Sequence, residues 1–154
     1  MKITVFSDSH GNPKYMKNII DDIKPDMVLH LGDGERDMQS IMSEFPQLEI
    51  SCVRGNCDIS GTEPDRRLIS VLGKKIFMTH GHIYKVKSGY ESAVNAAREN
   101  GADILLFGHT HKAYSSFTGG LHVLNPGTIS GLAKPTYGMI IINNDGITCW
   151  IKEV

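Results

Sequence analysis

Short apolar runs alternate with helical repeats in the first half of the chain. Residues 3–6, 27–31 and 48–53 form apolar runs typical of buried strands. Between them, apolar residues recur at one-turn spacing over 16–23 and 38–45, as they do on one face of a helix. This β-α-β-α-β order predicts a parallel sheet with helices packed against it.

Local sequence patterns also predict where the first helix begins and which elements the second half of the chain forms. Asn12 is expected to be the N-cap of the first helix, followed by proline at the first helical position. A third helical repeat covers 90–97 and ends at Asn100 and Gly101. Further strands are predicted at 67–71, 75–78, 104–107, 113–118, 121–124, 137–142 and 147–151.

Two of these strand pairs are predicted hairpins. Gly119 and Gly120 separate one pair, and the turn 143–146 separates the other. The second half therefore adds antiparallel strands to a parallel first half. We expect two packed sheets with helices outside, which is a layered α/β sandwich, in a single domain over residues 1–154.

Composition and charge narrow the class of protein further. The chain of 154 residues has a formal net charge of −1 and no basic run, so it gives no strong signal for nucleic-acid or membrane-surface binding. Its apolar N-terminal run is too short for a signal peptide. Three cysteines without a zinc-type spacing fit a reducing compartment, and we expect the protein to be cytoplasmic.

Metal-ligand residue types follow five of the apolar runs, at the points where buried strands should leave their sheets. Ligands in open α/β sheets bind beyond the carboxyl ends of strands, so we expect these side chains to meet at one edge. The predicted metal ligands are Asp8, His10, Asp33, Asn56, His80, His109 and His111.

The mixture of donors predicts the kind of metal and the chemistry. Histidine nitrogen with carboxylate or amide oxygen suits Mn²⁺, Fe²⁺ or Zn²⁺ better than an all-oxygen set. Two such ions can share a water and lower its pKa, and the bridging hydroxide then attacks phosphorus in line. Only Asp8 and Asp33 in the set are acidic, so a site with two divalent ions stays positive and attracts phosphate.

These blocks, in this order, resemble the calcineurin-like metallophosphoesterase superfamily. The pattern of 53–58 and the later Asn-Pro-Gly-Thr of 125–128 are most similar to the small single-domain phosphodiesterases of the YfcE type. The resemblance implies a four-layer αββα sandwich of two mixed sheets flanked by helices. It also implies a metal-dependent phosphodiesterase with two divalent ions per chain, Mn²⁺ preferred and Fe, Ni and Zn as alternatives.

The resemblance also assigns ligands to the two ions. One ion would be held by Asp8, His10, Asp33 and His111. The second would be held by Asp33, Asn56, His80 and His109, so that Asp33 bridges the pair.

The sequence departs from many relatives at one catalytic position. Cys57 stands where these relatives place a histidine that can protonate the leaving group. A thiol is a poorer acid than an imidazolium at neutral pH, so water, Cys57 or His82 could serve instead. The expected catalytic residues are therefore Asp33, Asn56, Cys57 and His82, with His82 either contacting phosphate or supporting a ligand.

The sequence leaves other functions of the protein open, and more than one role for His30. A phosphomonoesterase or pyrophosphohydrolase would use the same metals. A scaffold similar to the retromer small subunit is a third possibility, although that subunit has lost ligand residues and this chain has kept all seven. We expect a small phosphoester substrate and allow for a homodimer. His30 is predicted to be a packed residue or one that orients a metal ligand.

Overall fold

Two five-stranded mixed sheets pack face to face in the computed structural model, which describes residues 1–131 and 134–154. In chain order the strands are β1 Lys2–Phe6, β2 Met27–His30, β3 Glu49–Cys52, β4 Arg66–Val71, β5 Lys74–Thr79, β6 Ile104–Leu106, β7 Tyr114–Thr118, β8 Leu121–Asn125, β9 Thr136–Asn143 and β10 Gly146–Glu153. The helices are α1 Lys14–Ile23, α2 Glu35–Glu44 and α3 Glu91–Glu99, with a 3₁₀ turn at His82–Tyr84.

Each sheet combines parallel strands with one or more antiparallel ones. The first has the order β10-β9-β1-β2-β3, in which β1, β2 and β3 are parallel and β9 runs antiparallel to β1. The second has the order β4-β5-β6-β8-β7, with β5, β6 and β8 parallel. Both predicted glycine- or asparagine-containing hairpins are present, as β7–β8 and β9–β10.

Apolar side chains from both sheets fill the space between them. Val5 and Leu29 of the first sheet belong to the same buried cluster as Ile76 and Leu106 of the second. α1 and α2 cover the outer face of the first sheet, and α3 covers the outer face of the second. The predicted four-layer αββα sandwich is therefore confirmed.

The start of the first helix differs from its prediction. α1 begins at Lys14 with Pro13 as its N-cap residue, and no side chain caps it. Asn12 instead donates from Nδ2 to the carbonyl of Ser130, 2.8 Å away. The asparagine therefore ties the loop after β1 to the segment before β9, because that distant carbonyl lies within its reach.

The described helices are all short. None of them has both the length and the apolar character needed to cross a bilayer. The cytoplasmic location stays a prediction.

Candidate metal centre

All seven predicted ligands lie at one edge of the sandwich, in the loops that follow β1, β2, β3, β5 and β6. Both sheets contribute ligands: β1, β2 and β3 belong to the first sheet, and β5 and β6 belong to the second. The arrangement is the one expected when parallel strands end at a common edge. The side chains form two overlapping groups.

The first group contains Asp8, His10 and His111. The Nε2 atom of His111 lies 3.1 Å from Oδ1 of Asp8, and the Nε2 atom of His10 lies 3.9 Å from the same oxygen. The Nε2 atoms of the two histidines are 3.4 Å apart. The three side chains thus direct one nitrogen or oxygen each at a common space.

The second group is centred on His80, which is fully buried. Its Nε2 atom lies 3.1 Å from Oδ1 of Asn56, 3.1 Å from Nδ1 of His109 and 3.4 Å from Oδ2 of Asp33. Its Nδ1 atom is 2.7 Å from the carbonyl oxygen of Leu31, to which it can only donate. That bond fixes the tautomer of a neutral ring and leaves the Nε2 lone pair available to a cation.

Asp33 connects the two groups. Its Oδ2 atom is 3.4 Å from Nε2 of His80 and 3.9 Å from Nε2 of His10. Its Oδ1 atom accepts the backbone N–H of Cys57 at 2.8 Å. A Cβ on Gly55 would lie 2.0 Å from Oδ1 of Asp33, so glycine is required for the backbone to approach this carboxylate.

The residues that carry these side chains have unusual backbone conformations. Five predicted ligands have a positive φ, an uncommon conformation for residues other than glycine: they are Asp8, His10, Asp33, His109 and His111. Each such residue costs roughly 1–3 kcal/mol and persists only where its surroundings fix it, a pattern that is typical of functional sites. The hydrogen bonds around the ligands supply that constraint.

Asp58 is the clearest supporting residue that the sequence did not identify. Its carboxylate accepts four backbone N–H groups, from Asp33 at 2.7 Å, Gly34 at 3.0 Å, Glu35 at 3.0 Å and Gly55 at 2.9 Å. It thereby joins the loops that follow β2 and β3. Its place at the end of the 53–58 block was the available signal, but that block does not show which atoms the carboxylate binds.

The segment 125–128 supports the site from the other side. Asn125 donates from Nδ2 to the carbonyl of Gly108 at 3.0 Å and to Oγ1 of Thr110 at 2.9 Å. Thr128 donates from Oγ1 to the carbonyl of Asp8 at 2.8 Å. The turn therefore fixes the two loops that carry Asp8, His109 and His111.

The charges of the metal-free site are coupled. Burial by itself lowers the pKa of His80, but its contact with the carboxylate of Asp33 and the charge of Asp8 raise it above the ordinary value. Burial by itself raises the pKa of Asp33, but His80 holds it well below the usual range. Burial and the neighbouring His80 lower the pKa of His109 to about 4. His80 therefore holds a proton more strongly than a free histidine does, while His109 holds one less strongly.

The donor atoms fit a pair of divalent cations. Oδ1 of Asp8 is buried and accepts no hydrogen bond from any residue in 1–131 or 134–154, although it faces Nε2 of His111. Two pairs of histidine nitrogens face each other at 3.4 Å and 3.1 Å. Such pairs need a proton or a cation between them. Nitrogen and oxygen donors in this mixture suit a first-row transition metal.

Cys57 and His82 lie at the border of the cluster. The thiol of Cys57 is exposed and groups with His10 and Asp33, while burial and the contact with Asp33 raise its pKa to about 11. The ring of His82 lies 5.5 Å from that of His80, between centroids, and burial lowers its pKa. Both side chains are near enough to the cluster to meet a bound substrate, and their catalytic roles stay predictions.

The match to known proteins covers nearly the whole chain. Residues 1–145 match the model of the calcineurin-like phosphoesterase superfamily domain. The chain belongs to this superfamily. It is 32% identical over 154 residues to the probable metallophosphoesterase YsnB of Bacillus subtilis, with 96% of this chain and 88% of that protein covered. It is 34% identical over 106 residues to the phosphodiesterase YfcE of Escherichia coli, covering 60% of this chain and 52% of YfcE.

Solved structures agree with this superfamily assignment. A predicted phosphoesterase from Streptococcus pneumoniae superposes with a TM-score of 0.80 at 28% identity, covering 98% of this chain and 97% of that one. Vps29 from Entamoeba histolytica in complex with Zn²⁺ superposes with a TM-score of 0.77 at 23% identity, with 99% of both chains covered. The second likeness shows a shared fold.

His30 gives a pH dependence of stability that can be tested in metal-free protein. Its complete burial lowers its pKa from 6.5 to about 4. The unfolded chain therefore binds more protons than the folded protein between these values. Stability should be fully present above pH 6.5 and should fall as the pH drops towards 4, by up to about 3 kcal/mol from this residue.

The measurement is urea unfolding across this pH range, in the presence of a chelator, for the wild type and for His30→Asn. The difference between the two free energies isolates His30, because the other titrating groups are common to both proteins. The variant should lose less stability on acidification. Parallel pH profiles would show that His30 is not held neutral by the fold.

Proposed function

We propose that this protein is a metal-dependent phosphodiesterase that uses two divalent ions, with Mn²⁺ as the preferred metal. The observation that supports it best is the position of Asp33, whose Oδ2 atom lies within 4 Å of a histidine from each ligand group (3.4 Å from His80 and 3.9 Å from His10). A carboxylate in this position can bridge two ions. We also propose that Cys57 and His82 contact the substrate.

A pair of divalent ions held by these residues would lower the pKa of a water molecule for attack on phosphorus and would offset charge on the phosphate oxygens. The chain's own residues make this possible. Asp33 accepts the Cys57 amide at Oδ1, which holds the carboxylate in place with Oδ2 directed at His80 and His10. Nδ1 of His80 donates to Leu31, so loss of the second ring proton would leave a lone pair on Nε2. Asn56 offers a neutral oxygen, so the centre keeps the positive charge that attracts a phosphate anion.

Room for a second ester group supports a diester substrate. A cavity of about 520 Å³ opens at the site and is lined by His10, Asp33 and Cys57. Residues of the first turn of α2 and of the loop that includes Ile59 also line it. A phosphate diester carries two organic groups and needs room for both, whereas a monoester carries only one. The diester reading is also consistent with the name of YfcE, the phosphodiesterase relative.

The test is a panel of phosphoesters assayed with Mn²⁺, Ni²⁺, Zn²⁺ and Mg²⁺. We expect the highest kcat/KM for diesters such as bis-(p-nitrophenyl) phosphate in the presence of Mn²⁺. Faster turnover of monoesters or of pyrophosphate bonds would instead favour the phosphomonoesterase or pyrophosphohydrolase alternative. No hydrolysis of any phosphoester, together with no metal binding, would contradict both.

The scaffold alternative has one observation in its favour, which is the similarity of the fold to Vps29. That similarity, at 23% identity, concerns architecture. In this chain all seven predicted ligand positions are filled and converge, so a metal-dependent hydrolase is the better proposal. A small phosphoester is the proposed partner, and a homodimer and a cytoplasmic location remain predictions.

Cys57 leads to a prediction about the leaving group. Its pKa is raised to about 11, so the thiol is a weak acid with which to protonate a departing alkoxide. Substrates with acidic leaving groups should therefore react faster: the nitrophenyl diester should be hydrolysed at least ~10-fold faster than the phenyl diester.

The comparison should be repeated with Cys57→His, which restores the residue type expected at this position in many relatives. The difference between the two diesters should shrink in this variant. Equal rates for both diesters in the wild type, under conditions where chemistry limits turnover, would show that protonation of the leaving group is not impaired.

A further inference from the structure

Three buried polar side chains form a chain of hydrogen bonds behind the metal-ligand loops. His30 and Ser9 are completely buried, and Asp37 is 7% exposed. Nε2 of His30 lies 3.4 Å from Oγ of Ser9, and Ser9 donates to Oδ2 of Asp37 at 2.6 Å. None of the three belongs to the predicted ligand set. Metal binding therefore does not explain why they are buried. Burying a polar group is costly unless it is hydrogen-bonded, and these three side chains bond to one another.

The direction of these bonds follows from their donors. The backbone N–H of Gly32 donates to Nδ1 of His30 at 3.2 Å, so Nδ1 is the acceptor. The proton of the neutral imidazole is therefore on Nε2, which donates to Ser9. The hydroxyl of Ser9 donates a hydrogen bond to Oδ2 of Asp37, and the same oxygen accepts the backbone N–H of Gly11 at 2.8 Å. Each of these donors has a partner.

The hydrogen bonds join three elements, which are the loop after β1, the end of β2 and the start of α2. Ser9 lies between the ligands Asp8 and His10, in the loop after β1. His30 ends β2 and binds the turn that carries Asp33. Asp37 belongs to the first turn of α2. The network therefore connects the two loops that supply Asp8, His10 and Asp33 to a helix that packs on the first sheet.

Glycine at position 34 permits this arrangement. A Cβ there would lie 2.0 Å from Oγ of Ser9 and 2.8 Å from Cε1 of His30. The turn after Asp33 thus packs directly on the Ser9–His30 pair. Asp8, His10 and Asp33 all have positive φ values, of 57°, 47° and 57°, so their backbone conformations need support from outside the loops.

We propose that Ser9, His30 and Asp37 are positioning residues, which hold the Asp8–His10 loop and the Asp33 turn in the geometry needed to bind metal. This inference rests on the proposed metal site and adds to it the residues that set its affinity. Partners that orient metal ligands typically contribute 10–100-fold in metal affinity. The network should therefore affect metal binding more than it affects the fold.

The test uses the full chain, stripped with a chelator and titrated with Mn²⁺ by calorimetry, with Co²⁺ absorption as a report on ligand geometry. Ser9→Ala should raise the Kd for Mn²⁺ at least ~10-fold and change the Co²⁺ spectrum. Thr4→Ala is the matched control. Thr4 is also fully buried and lies in β1, and its hydroxyl donates to the sulfur of Met139 at 3.6 Å. It should lower the thermal stability of the metal-free protein while leaving the Kd unchanged.

Asp37 provides a second, independent pair of variants. Both bonds go to Oδ2, so the amide oxygen of Asp37→Asn can replace it, and this variant should bind Mn²⁺ with nearly wild-type affinity. Asp37→Leu removes the acceptor and should weaken binding as Ser9→Ala does. A purely structural role predicts no such rescue in affinity.

The outcomes separate this inference from the proposed function. A Kd for Ser9→Ala within about threefold of the wild type would overturn the positioning role, as would an equal loss of affinity in Thr4→Ala. Failure of the wild-type protein to bind Mn²⁺ would overturn the metal site itself. Weak binding in Ser9→Ala and Asp37→Leu, with normal binding in Thr4→Ala and Asp37→Asn, is the expected result.

Discussion

Replacing Asp33 with alanine is expected to reduce diester hydrolysis at least ~1000-fold, equivalent to about 4 kcal/mol in the activation free energy. Oδ2 of Asp33 lies within 4 Å of a histidine ring nitrogen from each ligand group (3.4 Å from His80, 3.9 Å from His10). Its removal deprives both proposed ions of an anionic ligand. The variant should also bind Mn²⁺ with a lower stoichiometry, which calorimetry can measure alongside kcat/KM.

The matched control for this variant is Asp26→Ala. Asp26 immediately precedes β2, at the end of the strand opposite to Asp33, and accepts the backbone N–H of Lys2 at 2.6 Å. Its loss removes a carboxylate and a hydrogen bond without touching the site. The control should keep wild-type activity. Turnover in Asp33→Ala within about tenfold of the wild type would refute the bridging role.

Replacing His80 with alanine is expected to weaken Mn²⁺ binding at least ~100-fold and to abolish measurable hydrolysis at ordinary metal concentrations. His80 is the centre of the second group, and Asp33 keeps its pKa above the ordinary value in the metal-free protein although burial opposes this. A metal ion bound to Nε2 of His80 would compete with a proton for that nitrogen. At about pH 6 the wild type should therefore release more protons on binding Mn²⁺ than His80→Ala does.

Proton release is obtained from calorimetric titrations in buffers with different ionisation enthalpies. His122→Ala is the control, because His122 lies on β8 with its ring 4.5 Å from that of Phe117, between centroids, outside the metal cluster. It should match the wild type in affinity and in proton release. Identical proton release from His80→Ala and the wild type would show that the metal does not compete for this nitrogen.

The strand and helix pattern could be predicted from sequence because local periodicity encodes it. The runs at 3–6 and 27–31 contain β1 and β2 almost entirely. The helical repeat 16–23 lies within α1, and the repeats 38–45 and 90–97 overlap α2 and α3 except for Phe45 and Tyr90 at their ends. The pairing of the strands was harder to predict from the sequence. β9 adds to the first sheet beside β1, more than 130 residues away in sequence, and β6 pairs with both β5 and β8. No local pattern contains that information.

The convergence of the seven candidate ligands could be predicted because each follows a short apolar run that forms a strand. The residues that hold those ligand loops in place could not be predicted. Ser9, Asp37 and Asp58 are ordinary polar residues in sequence, and only the folded chain brings Asp58 within hydrogen-bonding distance of four backbone N–H groups. Asn12 failed as a cap prediction for the same reason, since the carbonyl it binds belongs to Ser130.

The most direct test is a crystal structure of the protein grown with Mn²⁺, with anomalous differences measured near the manganese edge. We expect two peaks about 3.5–4 Å apart, with Asp33 between them. Asp8, His10 and His111 should surround one peak, and Asn56, His80 and His109 the other. A single peak, peaks away from these side chains, or no peak at full Mn²⁺ loading would show that these residues do not hold a pair of ions.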